Sequence, residues 1–554
     1  MIITVLTRLP YRWRIVVLLS LLCIVLFYTF HHKQRPDIKK PSSDNIDLSF
    51  LYEKRPIEIT NPILGIDNFE SSLPKVQFDF DPETYEEMEI RISRQEAVKK
   101  SFMHGWSGYK KYALGADELK PLTNKPNNPF GGLGATMIDS LSTMLIMGLE
   151  EEVHEMLPLI DKIQVMVNEP LSVFETIIRY MGGLISAYEL YNHPARHILL
   201  NKAEEIGFAL LPAFDTPYGI PHYRFNPVRR HSASNTTFLA DAASIQLEFF
   251  ALSLHTENPV FAEKAQAITD FLRSTNDTHG KIIPGLFPNN IDIQNGYFKR
   301  SQISFGAMGD SAYEYFLKEH IFVDGRTSLY ADLYQEAIDN MKSRMLAQVP
   351  GQKLLFLPPY EPQAKRRRYS MDHLTCFVPG MLAMGSKTFD RPEDMMIAKG
   401  LLDTCIYMYR STTTKLAPEV WSFNEVVGYN PLTYGKTKEE LRDSNGWRKW
   451  LHAQRPSFRL DTQNTKNRTL DKVIDLPEGT VSHYDTHYLL RPETVESLYI
   501  LYRTTGDPRY QEYGWEIYQA IENHCKTPTA YASIRDVLSE DTRSSFNQVD
   551  SMET

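Results

Sequence analysis

Cysteine is scarce in this chain: there are four in 554 residues, at positions 23, 376, 405 and 525. That excludes a small scaffold held together by a dense disulfide framework. Long hydrophobic runs are scarcer still. Ile15 to Phe30 (IVVLLSLLCIVLFYTF) is sixteen residues without a charge, and nothing else of that length follows, so a polytopic membrane protein is excluded. There is also no excess of positive charge. Sixty Lys and Arg face 69 Asp and Glu, a net charge of -9, which argues against a nucleic-acid partner, since that would want a basic face. What remains is ordinary globular material, 42% hydrophobic and 23% charged, with length enough for one large core or several smaller ones. The 28 Phe and 30 Tyr suit a helical core or the aromatic platforms of a sugar site equally well.

The apolar run is flanked by Arg8, Arg12 and Arg14 before it and by Lys33, Arg35, Lys39 and Lys40 after it. It is slightly shorter than the ~20 residues a bilayer core asks for, but Tyr11 and Trp13 extend it as interfacial aromatics. No small-x-small cleavage site follows Phe30, so an uncleaved signal anchor over 15–30 is expected rather than a cleaved signal peptide, with 1–14 as a cytoplasmic tail. Both flanks are basic and leave the orientation open. The sequons Asn235-Thr236-Thr237, Asn276-Asp277-Thr278 and Asn467-Arg468-Thr469 are acceptors only if the C-terminal bulk is lumenal. The expectation is therefore a single-pass type II protein whose C-terminal bulk is lumenal. Residues 31–85 are polar and aperiodic, a lumenal stem, and 86–554 form one domain. Cys376 and Cys405 stand about one helical hairpin apart, either as a disulfide or as two buried thiols.

From Arg91 onward the pattern is helical. GGLISAYELYNHPARHILLNKAEEIGFALL begins at Gly182 and breaks at Asn192-His193-Pro194. SIQLEFFALSLHTENPVFAEKAQAITDFL begins at Ser244 and breaks at Glu257-Asn258-Pro259. ESLYILYRTTGDPRYQEYGWEIYQAI begins at Glu496 and breaks at Gly506-Asp507-Pro508. In each, an apolar helix stops at a Pro-containing turn and an amphipathic helix resumes. A repeated hairpin of this kind predicts an all-α fold of inner and outer helix rings, an α/α barrel rather than an open solenoid. Glu425 to about Asp485 is polar and irregular and reads as a surface insertion.

Three carboxylates recur at one kind of position. Glu175 stands just ahead of the first apolar helix, Asp310 at the start of another, and Glu493 opens a third. Parallel inner helices would gather these acids at one end of the barrel. A concave ring of carboxylates is what glycoside hydrolysis requires: one acid for the leaving oxygen and one base for water. Helix capping accounts equally for any single one of them, but not for the closeness of Arg179 and Arg491 to two.

With these residues in place, the chain resembles glycoside hydrolase family 47, the class I α-1,2-mannosidases of the secretory pathway. The resemblance rests on ordered motifs covering roughly residues 90 to 554. Trp106-Ser107-Gly108-Tyr109-Lys110-Lys111-Tyr112, Asp117-Glu118-Leu119-Lys120-Pro121 and the stretch from Gly132 to Leu149 come first. Phe174-Glu175-Thr176-Ile177-Ile178-Arg179, Asp310-Ser311-Ala312-Tyr313-Glu314-Tyr315, Asp372-His373-Leu374-Thr375-Cys376-Phe377, Ala417-Pro418-Glu419 and Arg491-Pro492-Glu493-Thr494-Val495-Glu496 follow. The resemblance implies an (αα)7 barrel that removes α-1,2-linked mannose from the ends of high-mannose N-glycans, with inversion and with calcium. It implies Glu175 as proton donor, Glu493 as base for water, Asp310 and Glu419 as further catalytic carboxylates, and Arg179 and Glu496 as parts of the sugar-binding floor. It also implies that Cys376 and Cys405 form the family's disulfide.

Two departures qualify these expectations. Two residues before Asp310, where the family's endoplasmic-reticulum members carry Arg, this chain has Met308, as in Golgi and fungal members of broader branch preference. Asp550-Ser551-Met552-Glu553-Thr554 resembles the start of the family's Asp-x-Met-Glu-Ser-Phe helix. The Asn-Thr-Glu-Ala-His-Pro segment, whose Thr is the family's direct calcium ligand, would lie beyond Thr554. The expected barrel is thus incomplete at its C-terminus, with no metal ligand of its own. That keeps open a rival reading, a weakly active or inactive mannose-binding relative in glycoprotein quality control. A third, a helical-repeat scaffold without a sugar site, explains the hairpins and not the clustered acids.

Overall fold

Helix pairs follow one another along the chain, and their turns carry the punctuation that ends and restarts helices. The computed structural model describes residues 71–350, 352–424, 426–436, 481–541 and residue 546. The chain divides into Met1–Leu48 and Ser49–Thr554, and all the described residues belong to the second unit. The expected tail and anchor, residues 31–70 of the stem, most of the polar insertion, the sequon at Asn467 and the Asp550–Thr554 motif lie outside the described residues. None of the described helices is long and apolar enough to cross a membrane.

The long helix α1 (Tyr85–Tyr112) starts at a capping box: the Thr84 hydroxyl accepts the Glu87 N–H while Glu87 reaches back to the Thr84 N–H. Short helices α2 (Ala135–Asp139) and α3 (Leu141–Ile146) lead into α4 (Glu150–Asp161). Next, Val173–Glu175, a π-helical Thr176–Met181 and Gly182–Leu190 run on as one helix, α5, which turns back into α6 (His197–Leu210). A short α7 (Leu239–Ala243) precedes the pair α8 (Gln246–Thr256) and α9 (Pro259–Ser274). The pairs α10 (Asp310–Phe322) with α11 (Ser328–Arg344), α12 (Val378–Thr388) with α13 (Pro392–Arg410), and α14 (Glu493–Thr505) with α15 (Arg509–His524) complete the described series.

The turns work as their residues dictate. Glu257 ends α8 in the left-handed region (φ 55), Asn258 caps α9 by accepting the Val260 N–H at 3.2 Å, and Pro259 takes the first helical position, where no N–H is needed. Gly506, at φ 72, ends α14 at the position where a side chain would be strained.

Packing separates two layers. The first helices of successive pairs touch in order: α3 on α5, α5 on α8, α8 on α10, α10 on α12 and α12 on α14. Inner α12 is buried nearly all round, with Val378, Gly380, Met381, Leu382, Ala383 and Gly385 enclosed, whereas outer α9 buries one stripe, Phe261, Ala265, Ile268, Phe271 and Leu272. Each such Leu or Phe contributes about 1.5–3 kcal/mol through burial. The layers approach closely enough that a methyl group at Gly385 would stand 2.1 Å from the Tyr334 hydroxyl of α11, so Gly385→Ala would force α11 and α12 apart. The result is a ring of helical hairpins, a barrel-like fold.

The two ends of the pairs differ. Inner-to-outer turns are short, spanning 191–196, 257–258, 323–327, 389–391 and 506–508, while outer-to-inner connections are long and carry small antiparallel ladders. In one, Thr236–Phe238 pairs with Asn290–Asp292, which pairs with Tyr297–Phe298. In another, Val420–Phe423 lies between Ser370–Asp372 and Val481–Asp485.

Three sequence expectations change in detail. Val481–Asp485, read as the end of the insertion, is a strand: Phe423 faces Val481, Ser422 faces Ser482 and Trp421 faces His483. Glu175 is not ahead of its helix but inside the first turn, because Ser172 caps it by accepting the Glu175 N–H at 3.3 Å. Residues 71–84, assigned to the stem by composition, dock on the domain. The Phe78 N–H donates to the Arg503 carbonyl at 2.7 Å, Arg503 covers the Phe80 ring at 4.9 Å, and Ser71 donates to Asp324 at 2.5 Å.

Candidate active site

The long connections deliver the inner helices by their N-terminal ends to one side of the ring, and the acids sit there. Asp310 is the first residue of α10 and Glu493 the first of α14. At such positions unpaired backbone N–H groups and the helix dipole favour negative charge.

Glu175 is held from below by a relay that begins at Asp117. This carboxylate is fully buried and accepts the N–H groups of Phe130, Gly132 and Gly134 at 2.8–3.0 Å and of Ala135 at 3.3 Å, together with the Tyr180 hydroxyl at 2.8 Å. The loop can aim so many N–H groups at one carboxylate because Gly131, Gly132 and Gly134 all take positive φ (94, 70 and 80). The loop launches α2, whose last residue, Asp139, lies 3.5 Å from Arg179; the Arg179 Nε donates to Glu175 at 2.8 Å, and its guanidinium sits over the Phe130 ring at 5.2 Å. Arg179 lies in the π-helical segment, a distortion that recurs at functional sites.

Around Glu175 the negative charge is dense. Asp241, on α7, feels both Glu175 and Asp310, and burial followed by those two charges raises its pKa to about 7. Burial raises Asp310 to about 6, against hydrogen bonds from the Ser311 N–H (2.7 Å) and hydroxyl. Deeper along α10, Glu314 pairs with Lys318 at 2.8 Å and sits against Glu496 of α14. Burial and then Glu314 raise Glu496 to about 7, with Lys318 opposing. Glu248 of α8 accepts the Tyr315 hydroxyl at 2.8 Å and is raised to about 7 by burial.

The far wall is built on the three-stranded ladder. Arg491 forks onto Glu419, and the Glu419 carbonyl accepts the His373 N–H at 2.8 Å. The His373 ring, wholly buried and held neutral with its pKa pushed down to about 3, reaches Thr494 at 3.2 Å and the Tyr409 hydroxyl at 3.1 Å. Two bulky residues next to the acids take left-handed backbone: Met308 (φ 72), whose carbonyl accepts the Ala240 N–H at 3.0 Å, and Leu490 (φ 59). Such residues cost about 1–3 kcal/mol and concentrate where geometry is imposed by function.

The structure therefore joins Glu175 and Asp310 through Asp241, with Arg179 bonded directly to Glu175, and Asp310 with Glu496 through Glu314; Glu419 and Glu493 share the wall that carries Arg491. Cys376 and Cys405 are bonded, with Cα atoms 6.1 Å apart. Sequence reasoning missed Asp241, Glu248, Glu314, Lys318 and Asp139. The signal for Asp241 and Glu248 was present, since each is a lone acid in an otherwise apolar segment. Among the described residues no three His, Cys, Asp or Glu side chains converge to hold a metal directly.

Residues 101–554 match the family model described as glycosyl hydrolase family 47. The chain belongs to this family. Among family relatives, the mannosyl-oligosaccharide 1,2-alpha-mannosidase MNS1 of Arabidopsis thaliana is 35% identical over 459 residues, spanning 80% of this chain and 70% of that protein. The endoplasmic reticulum mannosyl-oligosaccharide 1,2-alpha-mannosidase of Rattus norvegicus is 34% identical over 453 residues, 80% of this chain and 60% of its own length. The solved α-1,2-mannosidase from Trichoderma reesei superposes with a TM-score of 0.70 at 28% identity, covering 83% of this chain and 90% of that one. Family membership and the hairpin ring agree, and the family glycosidases are the frame in which the acids are read.

Proposed function

We propose that this chain is an exo-acting α-1,2-mannosidase that removes α-1,2-linked mannose from high-mannose N-glycans with inversion, on an (αα)7 barrel. The observation that carries the reading is the meeting of acids from α5, α7, α10 and α14, namely Glu175, Asp241, Asp310, Glu314 and Glu496, on a fold shared with mannosidases. In the reaction Glu175 donates a proton to the glycosidic oxygen and Glu493 takes one from water, with Asp310 and Glu419 as further catalytic carboxylates and Arg179 and Glu496 on the sugar-binding floor. Glu175 and Glu493 stand on α5 and α14, which are not neighbours in the described ring. The inversion proposed needs room for a water between the two carboxyls, about 6.5–9.5 Å.

Calcium belongs to the proposal. A hard cation prefers oxygen donors, and burial together with mutual repulsion raises the proton affinity of Asp241 and Glu496, a cost that a nearby divalent charge would relieve. With no direct chelate among the described residues, these acids would hold it through water, and the ion would supply polarisation of the attacking water. The compartment proposed is the lumen of the endoplasmic reticulum or Golgi, reached by a type II signal anchor. In support, the sequon residues Asn235 and Asn276 are both exposed.

The test is mannose release from a high-mannose glycan by the purified chain, followed by NMR of the first product. Release of the β-anomer from the α-linkage, diminished by a chelator, is the expected result. An intact glycan after prolonged incubation, or an α-anomer formed first, overturns the reading.

A further inference from the structure

A cleft of about 570 Å³ opens between α1 and α15 and the residues that follow α13, lined by Ala97, Thr413–Lys415 and α15 residues from Trp515 to His524. None of the acids described above lines it. The volume falls within the roughly 300–1,000 Å³ of small-molecule sites. It lies at the catalytic end of the ring: α15 returns toward the start of α14, and Tyr488 is close both to Cys525, just past α15, and to Glu493.

Its lining has a consistent chemistry. Trp515 and Tyr518 stack with centroids 4.7 Å apart and planes 21° from parallel. The pair is held in place before any ligand arrives: Arg94 covers Trp515 at 5.1 Å while forking onto Glu512 at 2.8 and 2.9 Å, and the Tyr518 hydroxyl meets Ser101 at 2.8 Å. The acids of the lining are already neutralised. Glu516 is forked by Arg410 at 2.7 and 2.9 Å, and Glu522 binds Lys526 and Ser101. Exposed amides, Gln519 and Asn523, stand beside the aromatic pair. An aromatic pair held in place, two exposed amides and acids that are already paired favour a ligand rich in hydroxyls with an apolar C–H face over an anionic one. Lys415, at the edge of the cleft, is its one exposed lysine.

We propose that this cleft is a second, non-catalytic saccharide site that takes a mannose residue of a mannose-rich oligosaccharide. The identity of the sugar rests on the mannosidase reading, whereas the existence of the site does not. Holding one arm at the rim raises the effective concentration of the others at the acids.

The probe is α-1,2-mannobiose, too small to bridge two sites. Equilibrium dialysis against Glu493→Gln in the full chain should find two sites per chain, and adding Asn523→Trp, which fills the cleft from an exposed position, should leave one. Gln519→Trp is the second cleft variant and should do the same. In the otherwise wild-type chain, Asn523→Trp should cleave mannobiose unchanged while its KM for a high-mannose glycopeptide rises. A single site before and after both substitutions overturns the proposal, as does an equal loss on both substrates. Two sites in a chain that cleaves nothing would leave the saccharide site standing and remove the proposed function instead.

Discussion

Arg491 holds Glu419 through three contacts, its Nε 3.1 Å from each carboxylate oxygen and its Nη2 2.6 Å from Oε1. Both side chains are mostly enclosed, at 14% and 13% exposure. The pair ties the residue just ahead of the central strand, Val420–Phe423, to the approach to α14. Arg491→Met strands Glu419 without its cation and should destabilise the domain by about 3 kcal/mol, the usual cost of unpairing an enclosed charge. Urea unfolding reads it, and a loss below about 1 kcal/mol would show that the pair is merely solvated.

Glu493→Gln keeps the shape of the side chain and cannot take a proton from water. Turnover should fall by at least about 10²-fold while binding to an immobilised high-mannose glycan persists. Near-normal turnover would remove Glu493 from the role of base.

Asp117 is the origin of the relay to Glu175. Asp117→Asn turns an amide N–H₂ toward a nest of donors, and hydrogen bonds to a charged acceptor are worth about 1.5–3 kcal/mol each. A loss of roughly 3 kcal/mol or more in unfolding free energy is expected, together with reduced kcat. Full activity in a stable Asp117→Asn protein would mean that the loop is aimed by its glycines alone.

The raised pKa of Asp241 sets a sign for pH dependence. The native state keeps this proton to about pH 7, while the unfolded chain loses it near pH 4. The contribution to stability is therefore whole below about pH 4 and lost as pH rises toward 7. Asp241→Asn should narrow the difference between urea midpoints measured at pH 5 and pH 8. An unchanged difference would place the linkage on Glu248 or Glu496.

The Cys376–Cys405 bond closes a loop with a sequence separation of 29 and joins α13 to the turn that opens α12. Replacing both with Ser should cost about 3 kcal/mol on the loop-entropy account. Non-reducing peptide mapping should recover the linked pair, and free thiol at both positions would contradict it.

The hairpins were legible because their boundaries are written in local chemistry. Pro259 and Gly506 act within a turn of their own positions, and Asp310 and Glu493 stand where helices begin. What escaped the sequence depends on distance or on backbone distortion. Asp139 meets Arg179 only once α2 and α5 pack, and Glu314 meets Glu496 only once α10 and α14 share the ring. The π-helical turn at Thr176–Met181 and the left-handed Met308 and Leu490 are imposed by surrounding packing, against the preferences of those residues. Val481–Asp485 was misread because its partner lies sixty residues upstream, at Ser422 for Ser482.

The unequal ends of the hairpins have a consequence for how such a protein can vary. Each two-to-six-residue turn at one end is fixed by the helices it joins, so lengthening it would pry a pair apart. At the other end the chain runs for eleven residues before α5 and for tens before α8, α10, α12 and α14, and added length there changes the rim without disturbing the wall. The polar stretch from Glu425 to Asp485 falls in one of those connections. New recognition can be acquired by splicing at the mouth while the acids beneath keep their places.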